Sequence, residues 1–362
     1  MLNNPIELEE QLVAKAARYK IPLTANFELT PLCTMKCEMC FIQMDKAQCD
    51  KYGGVKTIDK WLNIATQLRE MGCLFILLTG GEPFLYPNFE LLYKKLRQMG
   101  FIITINTNGT LLTEDTIQCL IQEKPRRVNV TIYGGNPNTY ESLCHYKDGF
   151  ARAIRALNLL HKYKIDTKIN LSLVKKNSSD YDAIMELAQN LNMPVVVNSY
   201  MFPALRSLCK GKRDIVKERM SPQNAAMFDI AYLKYRYKED FNRIIERRKK
   251  KIEENSLNEK GVGLDCRAGT SSCWINWQQR ISPCVLMEHP SVDLSNLSVK
   301  EAWTTIVSEC ANLPIHKSCA GCKLRTICDV CYAAVNHEEE SCGNLSYLCT
   351  MAKTKYELIK KH

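Results

Sequence analysis

Residues 23–40 read LTANFELTPLCTMKCEMC, an apolar, β-rich run that stops at Pro31 and releases Cys33, Cys37 and Cys40 into the loop behind it. Three thiolates in one tight loop can ligate three irons of a [4Fe–4S] cube and leave the fourth iron without a protein ligand. A zinc or electron-transfer site closed by protein alone wants a fourth ligand close by, and Cys49 is the near candidate.

Outward from that loop, apolar β-rich runs at 23–30, 74–79, 101–106, 127–133, 167–174 and 194–200 alternate with helical patterns near 58–71, 87–99, 113–122, 149–163 and 179–191. Such alternation is what a parallel sheet with crossover helices requires. The expected fold is α/β: a partial (β/α)6 TIM-like barrel, with chemistry at the C-terminal ends of its strands, and a small cysteine-rich C-terminal iron–sulfur domain. Beyond Pro203 the alternation stops. Residues 222–256 form a long, charged, Gly-free helical stretch, and from Gly261 the chain is cysteine-dense and turn-rich, as in a module held by metal more than by a large core. The expected divisions are an N-terminal extension 1–22, the barrel 23–203, a helical connector 204–260, the cysteine-rich domain 261–352 and a C-terminal tail 353–362.

A length of 362 residues allows one large domain and a smaller one. Hydrophobic and charged fractions of 46% and 24% are ordinary for a soluble protein, and no apolar run nears the length of a membrane span. The N-terminus lacks the apolar stretch of a secretory signal, so a cytoplasmic location is expected. In a reducing compartment, 18 cysteines read as metal ligation or redox chemistry rather than disulfides. The net charge of +10 selects no partner by itself; much of the excess sits in RIIERRKKK, 243–251, which reads as a solvated helix face. Neither a membrane nor a nucleic-acid partner is expected.

The second strand ends in Thr79-Gly80-Gly81-Glu82-Pro83, where glycines let backbone carbonyls approach a ligand and the proline fixes the turn. The third ends in Asn106-Thr107-Asn108-Gly109, the fourth in Tyr133-Gly134-Gly135, and the fifth carries Asn170 and Ser172. The C-x3-C-x2-C loop after strand one, with GGEP one βα unit later and a TNG turn after strand three, resembles the radical S-adenosylmethionine (AdoMet) superfamily. The resemblance implies that AdoMet chelates the open iron of a cluster on Cys33, Cys37 and Cys40. It further implies that the Gly80, Gly81, Glu82 and Pro83 turn binds the methionine amino group, and that Asn108, Asn170 and Ser172 belong to the cofactor site, Asn170 at the ribose. Two positions depart from the family pattern. Met39 stands where an aromatic residue usually precedes the third cysteine, and Cys144 stands where many relatives place an Arg for the AdoMet carboxylate. His145, Lys147 and Lys168 are candidates for that anchor.

Toward the C-terminus come Cys266, then Ser282-Pro283-Cys284, then Cys319-x2-Cys322-x5-Cys328-x2-Cys331, and finally Cys342 or Cys349. Seven or eight thiolates suffice for two cubes, and on spacing alone a zinc ribbon is the competing reading. The run resembles the SPASM module, the auxiliary-cluster domain of peptide-modifying radical AdoMet enzymes. That resemblance implies a distal cluster on Cys319, Cys322, Cys328 and Cys349 and a proximal one on Cys266, Cys284 and Cys331, with Cys273 able to complete it. Gln279 replaces the glycine usual before the PC pair, and the spacing from Cys328 to Cys331 is one residue shorter than the common form. Cys73, Cys119 and Cys310 read as buried small hydrophobes.

The function so implied is reductive cleavage of AdoMet to a 5′-deoxyadenosyl radical that removes a hydrogen atom from a ribosomally made precursor peptide. A thioether or carbon–carbon crosslink, or epimerisation at a peptide Cα, follows. Epimerisation would need a hydrogen-donor thiol, for which Cys209 and Cys144 are the catalytic candidates. An external electron donor of flavodoxin or ferredoxin type is expected. With about 22 residues before strand one, leader recognition is expected from a separate protein or from the basic stretch 243–251. A formylglycine-forming sulfatase-type maturase and a non-catalytic iron–sulfur electron-transfer protein are the alternatives.

Overall fold

The computed structural model describes residues 5–203, 208, 214–253, 264, 266–328 and 331–362. All six expected strands form: β1 (Thr24–Glu28), β2 (Phe75–Thr79), β3 (Ile102–Thr107), β4 (Arg127–Ile132), β5 (Thr167–Ser172) and β6 (Val195–Asn198). They pair in sequence order and in parallel, and helices such as Ile58–Glu70, Phe89–Gln98, Gly149–Lys162 and Tyr181–Asn190 cross between them. Alternate residues of a strand face opposite sides of the sheet. On the covered side Ala25, Phe27, Ile103, Ile105, Val128, Val130, Ile169 and Leu171 are fully buried in one core. The other side is polar. The register puts Asn106, Asn129 and Lys168 on one rung and Thr131 beside Asn170 on the next, and Asn129 Nδ2 donates to Asn106 Oδ1 at 2.7 Å.

The cysteine-rich segment begins by extending this sheet. Strand β7 (Ser272–Ile275) pairs in parallel with the free edge of β1, and β8 (Arg280–Ser282) and β9 (Val292–Asp293) follow antiparallel, giving the order β6-β5-β4-β3-β2-β1-β7-β8-β9. Asn26 fixes the junction, donating from Nδ2 to Cys273 O at 2.7 Å. The β7–β8 turn explains the family's glycine. Gln279 has φ 65°, the left-handed conformation that glycine adopts without penalty, and its Nε2 is buried without a partner.

The helical stretch 222–256 is broken at Lys238, whose φ is 43°, into the helices Pro222–Tyr237 and Phe241–Glu253. Residues 353–360, expected as part of a tail, instead continue the helix Ser346–Lys360 and bury Lys355 and Ile359. Its apolar face packs on the helix Pro222–Tyr237, and that burial is the reason the chain end stays helical. A buried ion pair ties the connector to the cysteine-rich part: Arg219 Nη1 and Nη2 donate to Glu338 at 2.5 and 3.2 Å, and Tyr200 donates to the same carboxylate at 2.8 Å. Among the described residues no helix is long and apolar enough to cross a membrane.

Gln279→Gly should raise stability by about 1 kcal/mol, since it removes a left-handed side chain and an orphaned amide together. Urea denaturation of the metal-free chain measures it; a lowered midpoint would contradict this account of the turn.

Candidate active site

The cysteine loop is held from three sides. Gly81 N–H donates to Thr30 O at 2.7 Å and Glu82 N–H to Leu32 O at 2.8 Å, so the GGEP turn lies directly on the backbone that leads into Cys33. A Cβ on Gly80 would stand 2.5 Å from Thr30 O, and one on Gly81 would stand 2.4 Å from Leu32 O. The glycines are therefore needed for contact with the cysteine loop itself, a reason different from the ligand approach expected from sequence. On another side, Lys36 and Glu38 N–H groups donate to the carbonyls of Cys144 and Leu143 at the end of the helix Pro137–Cys144. Glu38 is in turn paired with Lys176 at 2.5 Å and with His145 at 3.3 Å.

Glu82 and Asn108 come together with the cysteines. The Glu82 carboxylate is fully buried and accepts from Thr107 Oγ1 at 2.7 Å, Asn108 N at 2.8 Å and Phe84 N at 3.3 Å, locking the GGEP and TNG turns to each other. Burial pushes this carboxyl up to about 7, although the three donors oppose the shift. Asn108 Nδ2 reaches Cys33 Sγ at 3.4 Å and Thr34 Oγ1 at 3.1 Å. Pro83 opens the short turn Pro83–Leu85 and is buried. Burial, with Glu82, Cys37 and Cys40 as negative neighbours, drives the Cys33 thiol well above its ordinary value. A positively charged iron would relieve that crowding.

The donor set suits a cube rather than a single ion. Three soft thiolates from one loop are the donors that a cube with one open iron takes. Cys49 is buried, with Asp50, Lys46 and Lys56 as its charged neighbours and not the triplet. The Tyr140 hydroxyl is fully buried without a partner, and Cys144, Cys37 and Cys33 are the thiols near it. A cluster sulfur there would give it an acceptor.

Other expected site residues fall less centrally. Asn170 and Ser172 are half-buried on the polar side of β5 with Lys168, two residues deeper from the strand end. His145 is engaged by Glu38, and Lys147 is exposed. Cys144 is fully buried beneath the cysteine loop, and its visible role is the carbonyl that accepts from Lys36; this placement speaks against a thiol facing substrate. Cys209 lies outside the described residues. Sequence reasoning missed Glu28, a fully buried carboxylate at the end of β1 that accepts from Trp274 Nε1 at 2.9 Å. An acidic residue just ahead of the cysteine loop was the available signal.

In the cysteine-rich part, Cys319, Cys322, Cys328 and Cys349 line one cavity of about 370 Å³, and Cys331, expected in the proximal set, lines it too. Burial raises the Cys319 thiol, with Cys349 and Cys322 adding to it, and raises Cys328 to about 12. Cys342 lies elsewhere, its sulfur 3.6 Å from Arg219 Nη2. Cys284 is raised to about 11, chiefly by burial, with Cys331 and Cys266 as neighbours. Cys273 is a correction to the sequence reading. It pairs with Ala25 on the covered side of the sheet, fully buried, and Cys73 rather than Cys284 is the thiol near it.

With this geometry in view, residues 27–203 match the model of the Radical SAM superfamily. Residues 27–203 are thus a radical SAM domain, of a superfamily whose cofactors are a [4Fe–4S] cluster and AdoMet. It is 23% identical over 329 residues to the AdoMet-dependent heme synthase of Methanosarcina barkeri, covering 84% of this chain and 92% of that protein. Over 164 residues it is 27% identical to the antilisterial bacteriocin subtilosin biosynthesis protein AlbA of Bacillus subtilis, covering 44% of this chain and 35% of that one. The fold is shared with Streptococcus suis SuiB bound to its precursor peptide SuiA, at a TM-score of 0.65 and 18% identity, covering 94% of this chain and 80% of that chain.

The Glu82 carboxyl carries a pH signature. Its pKa in the folded AdoMet-free chain, about 7, exceeds the unfolded value of about 4.5. Its contribution to stability is therefore complete below pH ~4.5 and is lost as pH rises to ~7, a fall on the order of 3 kcal/mol. Denaturation midpoints from pH 4.5 to 8 should fall more steeply for the wild type than for Glu82→Gln; parallel curves would refute the assignment.

Proposed function

We propose that this chain is a maturase that modifies a ribosomally made precursor peptide, with one AdoMet-binding cluster on Cys33, Cys37 and Cys40 and two auxiliary clusters. The observation that carries the reading is a cavity of about 720 Å³ between the extended sheet and the cysteine-rich helices, walled by Trp274, Asn276, Arg280, Met287, Tyr332 and His337. Trp274 links its wall to Glu28 beside the cysteine loop. The cavity mixes aromatic, charged and amide groups, which suits a peptide that must offer both side chains and backbone hydrogen bonds. The SuiB precursor-peptide complex and the AlbA relative point the same way.

When bound, the cluster and AdoMet supply the radical that removes a hydrogen atom from substrate. The residues of the chain hold and shield that chemistry. Glu82 and Asn108 order the turns that would cradle AdoMet, and Asn170 and Ser172 offer polar contacts on the concave side. Cys319, Cys322, Cys328 and Cys349 would hold the distal auxiliary cluster, and Cys266, Cys284 and Cys331 three corners of the proximal one. The barrel 23–203 and the cysteine-rich part from 261 onward divide the work, and an external flavodoxin- or ferredoxin-type protein would deliver electrons.

A second reading has support of its own. AdoMet-dependent heme synthases match 84% of this chain, so a heme precursor is the competing substrate. Incubating the loaded enzyme with any short peptide encoded beside its gene, and separately with a porphyrin precursor, separates them. A crosslink lowers peptide mass by about 2 Da, and epimerisation leaves mass unchanged but takes up deuterium from D2O; an untouched peptide with a consumed porphyrin would favour the second reading. Iron analysis should give about twelve irons per chain, falling to about eight when Cys33, Cys37 and Cys40 are all replaced by Ala. About four in the wild type would refute the auxiliary clusters.

A further inference from the structure

Cys310, which reads from sequence as a small buried hydrophobe, lies beside the proximal thiols. It occupies the last turn of the helix Val299–Ala311, which packs on β8 and β9. A Cβ on Gly269 would stand 2.4 Å from Cys310 Sγ and 3.8 Å from Pro283 Cβ. The sulfur is therefore seated between the turn that begins at Cys266 and the residue that precedes Cys284. Gly269, at φ 65°, is the residue whose missing side chain makes room for it. The electrostatic neighbourhood agrees: Cys284 and Cys266 act on Cys310, while Cys331 and Cys266 act on Cys284. Cys310 is thus a neighbour of Cys266 and Cys284, with Cys331 next to Cys284, and Cys273 is not among them.

We propose that Cys310 supplies the fourth thiolate of the proximal auxiliary cluster, closing the cube that Cys266, Cys284 and Cys331 hold on three corners. This rests on the reading of two auxiliary clusters given above. Each thiol releases its proton on binding iron, and no electron moves in that step. A cube closed by four protein thiolates has no open iron. It can pass electrons but cannot ligate a substrate sulfur, so the proposal also limits what the proximal cluster does.

The test uses the full chain, reconstituted anaerobically with iron and sulfide, with AdoMet present to occupy the open iron of the first cluster. Wild type, Cys310→Ala, Cys310→Ser and Cys273→Ala are compared by iron and sulfide content, by circular dichroism, and by the EPR spectrum of the reduced protein with and without cyanide. Cys273→Ala should match the wild type in every readout. Cys310→Ala should either drop from about twelve irons to about eight or keep them with an open iron whose signal shifts with cyanide. Cys310→Ser should fold as the wild type does with an altered proximal signal. The proposal is overturned if both Cys310 variants match the wild type with and without cyanide, or if Cys273→Ala loses the irons instead. Should Cys310→Ala fail to fold, Cys310→Ser and Cys273→Ala still decide. A wild type holding about four irons would instead place the failure in the auxiliary-cluster reading, and this proposal would fall with it.

Discussion

Strand β1 is hydrogen-bonded along both edges, to β2 on one side and β7 on the other, and the rest of the structure depends on that double pairing. From its C-terminal end runs the loop of Cys33, Cys37 and Cys40. Pairing with β2 brings Gly80, Gly81 and Glu82 onto that loop, and pairing with β7 brings Trp274 onto Glu28. One five-residue strand thus sets the cysteine triplet, the GGEP turn and the cysteine-rich part in register. A slip of one residue would turn Asn26 and Glu28 toward the covered side and Phe27 toward the polar one.

Burial then tunes the site. Glu82 sits in the core with three donors, so the two turns it joins cannot separate without breaking those hydrogen bonds. The clustered thiols are pushed upward by the same desolvation, aided by one another. In the metal-free chain this favours protonated sulfur, so iron must compete with protons and its binding couples to folding.

Much of this was legible in the sequence. All six barrel strands lie within a residue or two of their expected places, because β-rich apolar runs between amphipathic helices admit few other folds. The cysteine triplet was equally plain, since three thiols in one loop have little structural use. Long-range pairing was not legible: nothing in Ser272–Ile275 announces that it lies beside β1, and so Cys273 reads as a ligand although its strand turns it away. Cys310 is buried in the core, as its helical position suggests; that Gly269 leaves room for its sulfur beside Pro283 could be read only from the structure. Gln279 lies between these cases; its departure from glycine was visible, but the left-handed turn that makes the departure costly was not.

The account stands or falls on whether the loop after β1 directs AdoMet cleavage. The most direct measurement is the yield of 5′-deoxyadenosine when the anaerobically reconstituted chain is reduced with dithionite in the presence of AdoMet. Formation of 5′-deoxyadenosine and methionine, absent when Cys33, Cys37 and Cys40 are replaced by Ala, is the expected result. Intact AdoMet after reduction of a fully iron-loaded chain, or cleavage that survives loss of the three cysteines, would contradict it.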